Sequence, residues 1–154
     1  MKVETAINRI KSAGHDISDE YTNERCIEFL NTAIQQVSSL LISAQYPALV
    51  KEITVHNGES LPTNYMKSCG TYPLRLTDNK VTVVDGSETV RFRYWATPEL
   101  LTSSSTNLPY NHDAINEVIV KLAVILALNE NEYDIAQDSN LISQLQQAIA
   151  SGMA

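Results

Sequence analysis

The chain has 154 residues, with 11 basic and 18 acidic side chains, a formal net charge of −7 and a hydrophobic fraction of 44%. That length suits one domain with a core that needs no disulfide or metal. The acidity excludes a nucleic-acid grip built on phosphate neutralisation and an anionic membrane surface as partner, while an acidic wall along which DNA slides stays allowed.

In chain order, Val3, Ala6, Ile7 and Ile10 recur at helical spacing, which predicts a helix over 2–13 with Gly14 as its stop. A polar connection follows. Thr22 or Asn23 can cap the next helix, predicted over 23–45, and Glu24 in its first turn suits the helix dipole. Ile27, Leu30, Ile34, Val37, Leu41 and Ala44 form its apolar stripe, broadened by Cys26, Ala33 and Leu40. Glu28, Asn31, Gln35, Gln36 and Ser38 fill much of the rest. Pro47 ends the helix near Gln45, because the residue before a proline is pushed out of helical conformation.

Residues 48–98 change period and read as a β insertion. Ile53 and Val55 alternate with polar neighbours, and Asn57-Gly58 signals a turn. From Leu74 onward the pattern reads as a meander, turning at Asp78-Asn79 and again at Asp85-Gly86. In its last strand Val90, Phe92 and Tyr94 share one face, and Arg91, Arg93 and Trp95 the other.

Helical period returns over 111–130, with Asn111 as the expected cap. Ile115, Val118, Ile119, Leu122, Ile125 and Leu126, with Val120, Ala123, Val124 and Ala127, make this helix apolar nearly all round, as in a helix buried from several directions. A last helix over 138–151 carries Leu141, Ile142, Leu145, Ala148 and Ile149, with Gly152 as its stop. The expected fold class is mainly α with a β insertion: a bundle of about four helices in one domain, 1–154, with a projecting antiparallel meander or hairpin.

Little in the chain points to chemistry. His15, His56 and His112 fall in a loop, at a strand end and at a helix start, and none pairs at metal-ligand spacing. Asp16, Asp19 and Glu20 lack the EF-hand spacing. No phosphate-loop, nucleophile-elbow or zinc-protease motif occurs. The expectation is no catalytic, metal or cofactor-binding residue. Cys26 and Cys69 read as reduced thiols of a soluble cytosolic chain. The apolar run 118–128 is interrupted by Lys121 and is too short to span a bilayer, so no membrane is expected.

Two surfaces are candidates for contact with other proteins. Arg91, Arg93 and Trp95 are of types enriched at interface hot spots, although two solvated arginines and a Trp packed against its own domain would give the same pattern. Leu141, Leu145 and Ile149 form a stripe on a helix whose opposite face is Ser, Asn and Gln without a charge. Neutral amides suit a helix laid between protein surfaces, and completing its own bundle is an equal alternative.

The stretch from Tyr94 to Leu128 resembles a signature of tailed-bacteriophage head-to-tail adaptor proteins, the connectors of the neck. Tyr94, Trp95, Pro98, Leu101, Thr102, Leu108, Pro109 and Ala114 fall on its aromatic strand end, Pro-containing crossing, Leu-Thr, Leu-Pro and apolar helix. Ala6 to Ile10 is similar to the family's first helix, Phe29 to Val37 to its Leu-Asn-x-Ala helix, and Leu61 to Lys67 to its Leu-Pro-x-x-Tyr element. Glu99 stands where the family often doubles the proline, and no Arg-Trp pair precedes the second helix.

The resemblance implies a virion structural protein of the neck, between capsid and tail, present in the host cytoplasm before assembly. Copies form a homo-oligomeric ring, usually of twelve, on the portal protein. The ring receives the tail or a nozzle or stopper protein, and DNA passes through without specific binding. The last turn of the final helix is expected to meet the portal and the β insertion the tail. The alternatives are a small helical regulatory or binding module and, further off, a DNA-processing accessory enzyme.

Overall fold

The structure, a computed structural model, describes residues 1–13, 21–104, 106–129 and 133–153, with side chains through residue 150. Gly14, His15, Asp16, Asp19 and Glu20 lie outside the described residues. Among the described residues, four helices and five short antiparallel strands make a mixed α and β structure. It divides into two compact units, a helical one of residues 1–41 and 99–154 and a β unit of residues 42–98.

In the helical unit, α1 spans Val3–Ala13 and buries Val3, Ala6, Ile7 and Ile10. Its start is tied down by backbone pairing: Val3 N–H donates to Thr106 O at 3.0 Å and Leu108 N–H to Met1 O at 2.8 Å. Helix α2 spans Asn23–Ser43. Thr22 is its cap, the Oγ1 accepting from Arg25 N–H at 3.2 Å. Most of the predicted stripe is in place, with Cys26, Leu30, Ala33, Ile34, Val37 and Leu41 fully or almost fully buried, but Ile27 and Leu40 are only half-buried and Ala44, past the end of the helix, is exposed. The helix stops two residues short of the predicted 45: Gln45 turns into the left-handed region at φ 59°, and Tyr46, the residue before Pro47, is extended at φ −69° and ψ 115°.

Helix α3 spans Asp113–Leu128 rather than 111–130, and its cap is His112, not Asn111. His112 takes the extended conformation of a cap residue, and its Nδ1 accepts from Ala114 N–H at 3.2 Å. Ile115, Val118, Ile119, Val120, Leu122, Ala123 and Leu126 are buried, so the helix is enclosed on most sides, and it packs on both α1 and α4. Helix α4 spans Ser139–Met153 and runs through Gly152, which is therefore not its stop. Leu141, Leu145 and Ala148 are buried. Asp138 caps it: Oδ1 accepts from Leu141 N–H at 3.0 Å and Oδ2 from the Tyr133 hydroxyl at 2.8 Å.

The β unit corrects the predicted meander. Strands β1 (Val50–His56), β5 (Thr89–Ala96) and β2 (Tyr65–Ser68) form one antiparallel sheet with β5 in the middle. Strands β3 (Leu74–Thr77) and β4 (Lys80–Val83) form a separate hairpin. Asp78 and Asn79 turn that hairpin as predicted, at φ 51° and 63°, the left-handed pair that a two-residue turn demands.

The second turn does not close a hairpin, for two reasons. Ser87 N–H, which would cross to the strand before the turn, is held by Asp85 Oδ1 at 2.9 Å, and this bond keeps the Asp85 carboxyl below its ordinary range. The β4 edge that would meet β5 is already occupied by residues 57–61. Val81 N–H donates to Glu59 O at 2.8 Å, Gly58 N–H to Val81 O at 2.7 Å and Leu61 N–H to Asn79 O at 2.7 Å.

The core of this unit is aromatic. Phe92 is 1% exposed and meets Tyr94, Tyr65 and Tyr72 with ring centroids 5.7, 5.9 and 5.2 Å apart. Val55, Val81 and Ala96 complete the buried cluster.

Phe92→Ala removes the ring that the other three share and should cost about 3–5 kcal/mol, read by chemical denaturation. For Asp138, bonding to Leu141 N–H and then to Tyr133 holds the carboxyl below its ordinary value. A depressed folded pKa means that the cap's contribution is complete above about pH 4 and fades as the pH falls through the lowered value. Asp138→Ala should cost about 1 kcal/mol near neutrality. Asp138→Asn, which still caps, should keep most of that, and thermal melts across pH should show a smaller loss of stability on the acid side than wild type, by the part that Asp138 contributes.

Candidate functional site

The crossing from Glu99 to His112 joins the two units' sequence segments, and its geometry in the helical unit is set by polar residues of α2. Asn31 makes a reciprocal clamp on Leu101: Leu101 N–H donates to Asn31 Oδ1 at 2.7 Å, and Asn31 Nδ2 donates to Leu101 O at 3.0 Å. The amide thereby copies the pairing of a neighbouring strand. Leu101 is held buried as a result.

Further along, Ser38 Oγ and Tyr110 Oη are 2.6 Å apart in a buried hydrogen bond. Tyr110 O accepts from Asn116 Nδ2 at 2.6 Å. Asn116 Oδ1 is the buried side-chain atom left without a partner among the described residues. Gln36 repeats the clamp on a different segment, donating from Nε2 to Tyr133 O and accepting from Ile135 N–H, both at 2.8 Å. Asn31, Gln36 and Ser38, which the sequence places on the polar side of α2, are thus inward-facing staples, whereas Glu28 and Gln35 are not engaged in such clamps and Gln35 is exposed.

Arg91 and Arg93 lie on the outer face of β5, opposite Thr54 and Glu52 of β1. Arg91 Nη2 is 2.6 Å from Glu52 Oε1, and Arg93 Nε is 4.0 Å from Oε2 of the same carboxylate. Both arginines remain open to solvent, with side chains 81% and 58% exposed. Trp95 shares their face by alternation but is only 6% exposed, so the face is covered at its Trp95 end and open at its Arg91 end. On α4, Leu141 and Leu145 are buried within the chain and Ile149 is half-buried. The arginines and the α4 stripe are on different units.

Among the described residues, no group of three or more His, Cys, Asp and Glu could hold a metal ion. His56 lies 3.6 Å from Glu59 at the surface and His112 is occupied as a helix cap. A groove of about 720 Å³ runs over α3, floored by Val124 and Ile125 and walled by α1 and the start of α4. Arg9 on its wall is engaged by Glu117 at 2.7 and 2.8 Å, and Asp138 by its capping bonds. No helix among the described residues is long and apolar enough to cross a membrane. Scanned against models of protein families, the sequence matches none, and a search of curated proteins returns no match.

The staples escape sequence reading because an amide on a helix looks the same whether it faces water or another segment's backbone. The available signal was that Asn31 and Gln36 lie next to buried positions, on the flank of the stripe rather than opposite it. Asn31→Ala should leave both backbone groups of Leu101 without their partner, at about 1–3 kcal/mol. Hydrogen exchange at the Leu101 amide should speed up, while the exposed Gln35→Ala leaves stability within about 0.5 kcal/mol.

Proposed function

We propose that this chain is a head-to-tail adaptor of a tailed bacteriophage: copies form a ring on the portal protein, continue the DNA channel and receive the tail or a stopper. The observation that carries this reading is the Asn31–Leu101 clamp. The Leu-Asn-x-Ala helix and the Leu-Thr of the crossing, two segments on which the resemblance rests, meet in it across 70 residues of chain. In the β unit, Tyr65 of the Leu-Pro-x-x-Tyr element stacks on Phe92, in the strand that leads to the aromatic end. Segments that the resemblance selects are therefore each other's structural partners.

In this reading the helical units pack side by side as the wall and the β unit is the projecting part. Both clamps fix backbone rather than bind a ligand, as befits a part whose work is docking and continuity. The helical unit's residues include five basic and thirteen acidic side chains, a formal −8, against six and five, a formal +1, in the β unit. An acidic wall repels the phosphates of passing DNA. Leu141 and Leu145 are buried within the chain, and in this reading the portal is met by the last turn of α4, whose side chains after residue 150 lie outside the described residues.

Cryo-EM of portal particles mixed with the protein tests the reading. A ring of touching copies on the portal is expected; absence of bound density, or isolated copies, would overturn it.

A further inference from the structure

The outer face of the three-stranded sheet carries more positive charge than its surroundings. Lys67 of β2 pairs with Trp95 and therefore lies on the same face as Arg91 and Arg93. Three cations share this face with one carboxylate, Glu52, which holds the two guanidinium groups at 2.6 and 4.0 Å. Lys67 is exposed. The excess sits on a chain whose helical unit is strongly acidic, so a second copy offers the complementary charge.

The outer side of α2 supplies a matching pair. Glu24 and Glu28 lie one helical turn apart, and the same stripe continues through Gln35 and Ser39, which are uncharged. The lone cation within α2, Arg25, lies over the Tyr21 and Phe29 rings at 5.9 and 5.8 Å. Nearby Lys11 donates to Asn23 Oδ1 at 3.0 Å. Spacing agrees as well. Two residues along a strand separate Arg91 from Arg93 by about 6.8 Å, and four along a helix separate Glu24 from Glu28 by about 6 Å.

We infer that the open sheet face, through Arg91, Arg93 and Lys67, docks on the Glu24–Glu28 stripe of α2 in a second copy of this chain. The two patches differ, so the contact is heterologous and can be repeated until a ring closes. Exposed ion pairs add little affinity but steer approach and select register, and salt screens them. The inference rests on the ring reading only in requiring that copies adjoin.

Charge-swap complementation of the full-length protein tests it, with sedimentation velocity at low and high salt and imaging on portal particles. R91E/R93E and E24R/E28R alter surface side chains, and circular dichroism checks that each folds. Each variant alone should associate at least tenfold more weakly than wild type at low salt. An equimolar mixture should recover association, since each variant keeps one native patch and the reversed patches match each other. Combining all four substitutions in one chain should recover it too.

Wild-type rings with both variants assembling equally well would overturn this contact and leave the ring reading standing. Loss in each variant without recovery on mixing would also overturn it. So would a reversed sheet face that loses duplex DNA binding instead of self-association. Absence of touching wild-type copies, free or on the portal, would overturn both readings.

Discussion

A backbone without regular structure must still satisfy its N–H and C=O groups, and in the helical unit that constraint falls on α2. The crossing and the segment before α4 are neither α-helix nor strand where α2 meets them. Asn31 and Gln36 each present one donor and one acceptor to those segments, two bonds from a single side chain. Because both amides grow from one helix, the positions of Leu101 and Ile135 are fixed relative to each other. The entry to α3 is fixed from the same helix through Ser38 and Tyr110. Helices α1 and α4 pack on α3, whose entry is fixed in this way.

The second unit is organised by a ring rather than an amide. Phe92 gathers rings from its own strand and from the β2 side of β5: Tyr94 lies two residues along β5, Tyr65 comes from β2 and Tyr72 from the segment after it. Hydrogen bonds then lock the aromatic cluster at its margins. Arg93 N–H donates to the Tyr72 hydroxyl at 3.1 Å, which donates to Cys69 O at 2.9 Å. Tyr94 donates to Asn64 Oδ1 at 3.1 Å. These hydroxyls thus have partners, and the outer side of β5 is left to the arginines.

Where one periodicity governed burial, the sequence was sufficient. The stripe of α2, the enclosed α3 and the Asp78-Asn79 turn are all legible. Apolar spacing of 3.6 residues selects a helix, and an Asp-Asn pair between two strands tolerates the left-handed backbone that a tight turn requires. Strand β2 was not legible as a strand, being four residues long, bulged between Tyr65 and Lys67, and without a fully buried residue. The order of strands was hidden because period two says which face a residue takes, never which strand lies beside it. Trp95 shows the same limit along a single face: alternation groups it with Arg91 and Arg93, and only the fold shows that one end is covered. Of the named contact residues, both arginines are available at the surface, whereas Trp95, Leu141 and Leu145 are taken up by the chain's own packing.

The occupied edge of β4 has a consequence for behaviour at high concentration. An open strand edge recruits any other open edge, since backbone groups recognise backbone without regard to sequence. Here β3 takes one side of β4 and residues 57–61 the other, so this strand has no free row of amides to offer. Crowded copies can meet this strand only through side chains, whose contacts exchange and correct themselves, and not through a zipper of main-chain bonds that would trap the first collision as an aggregate.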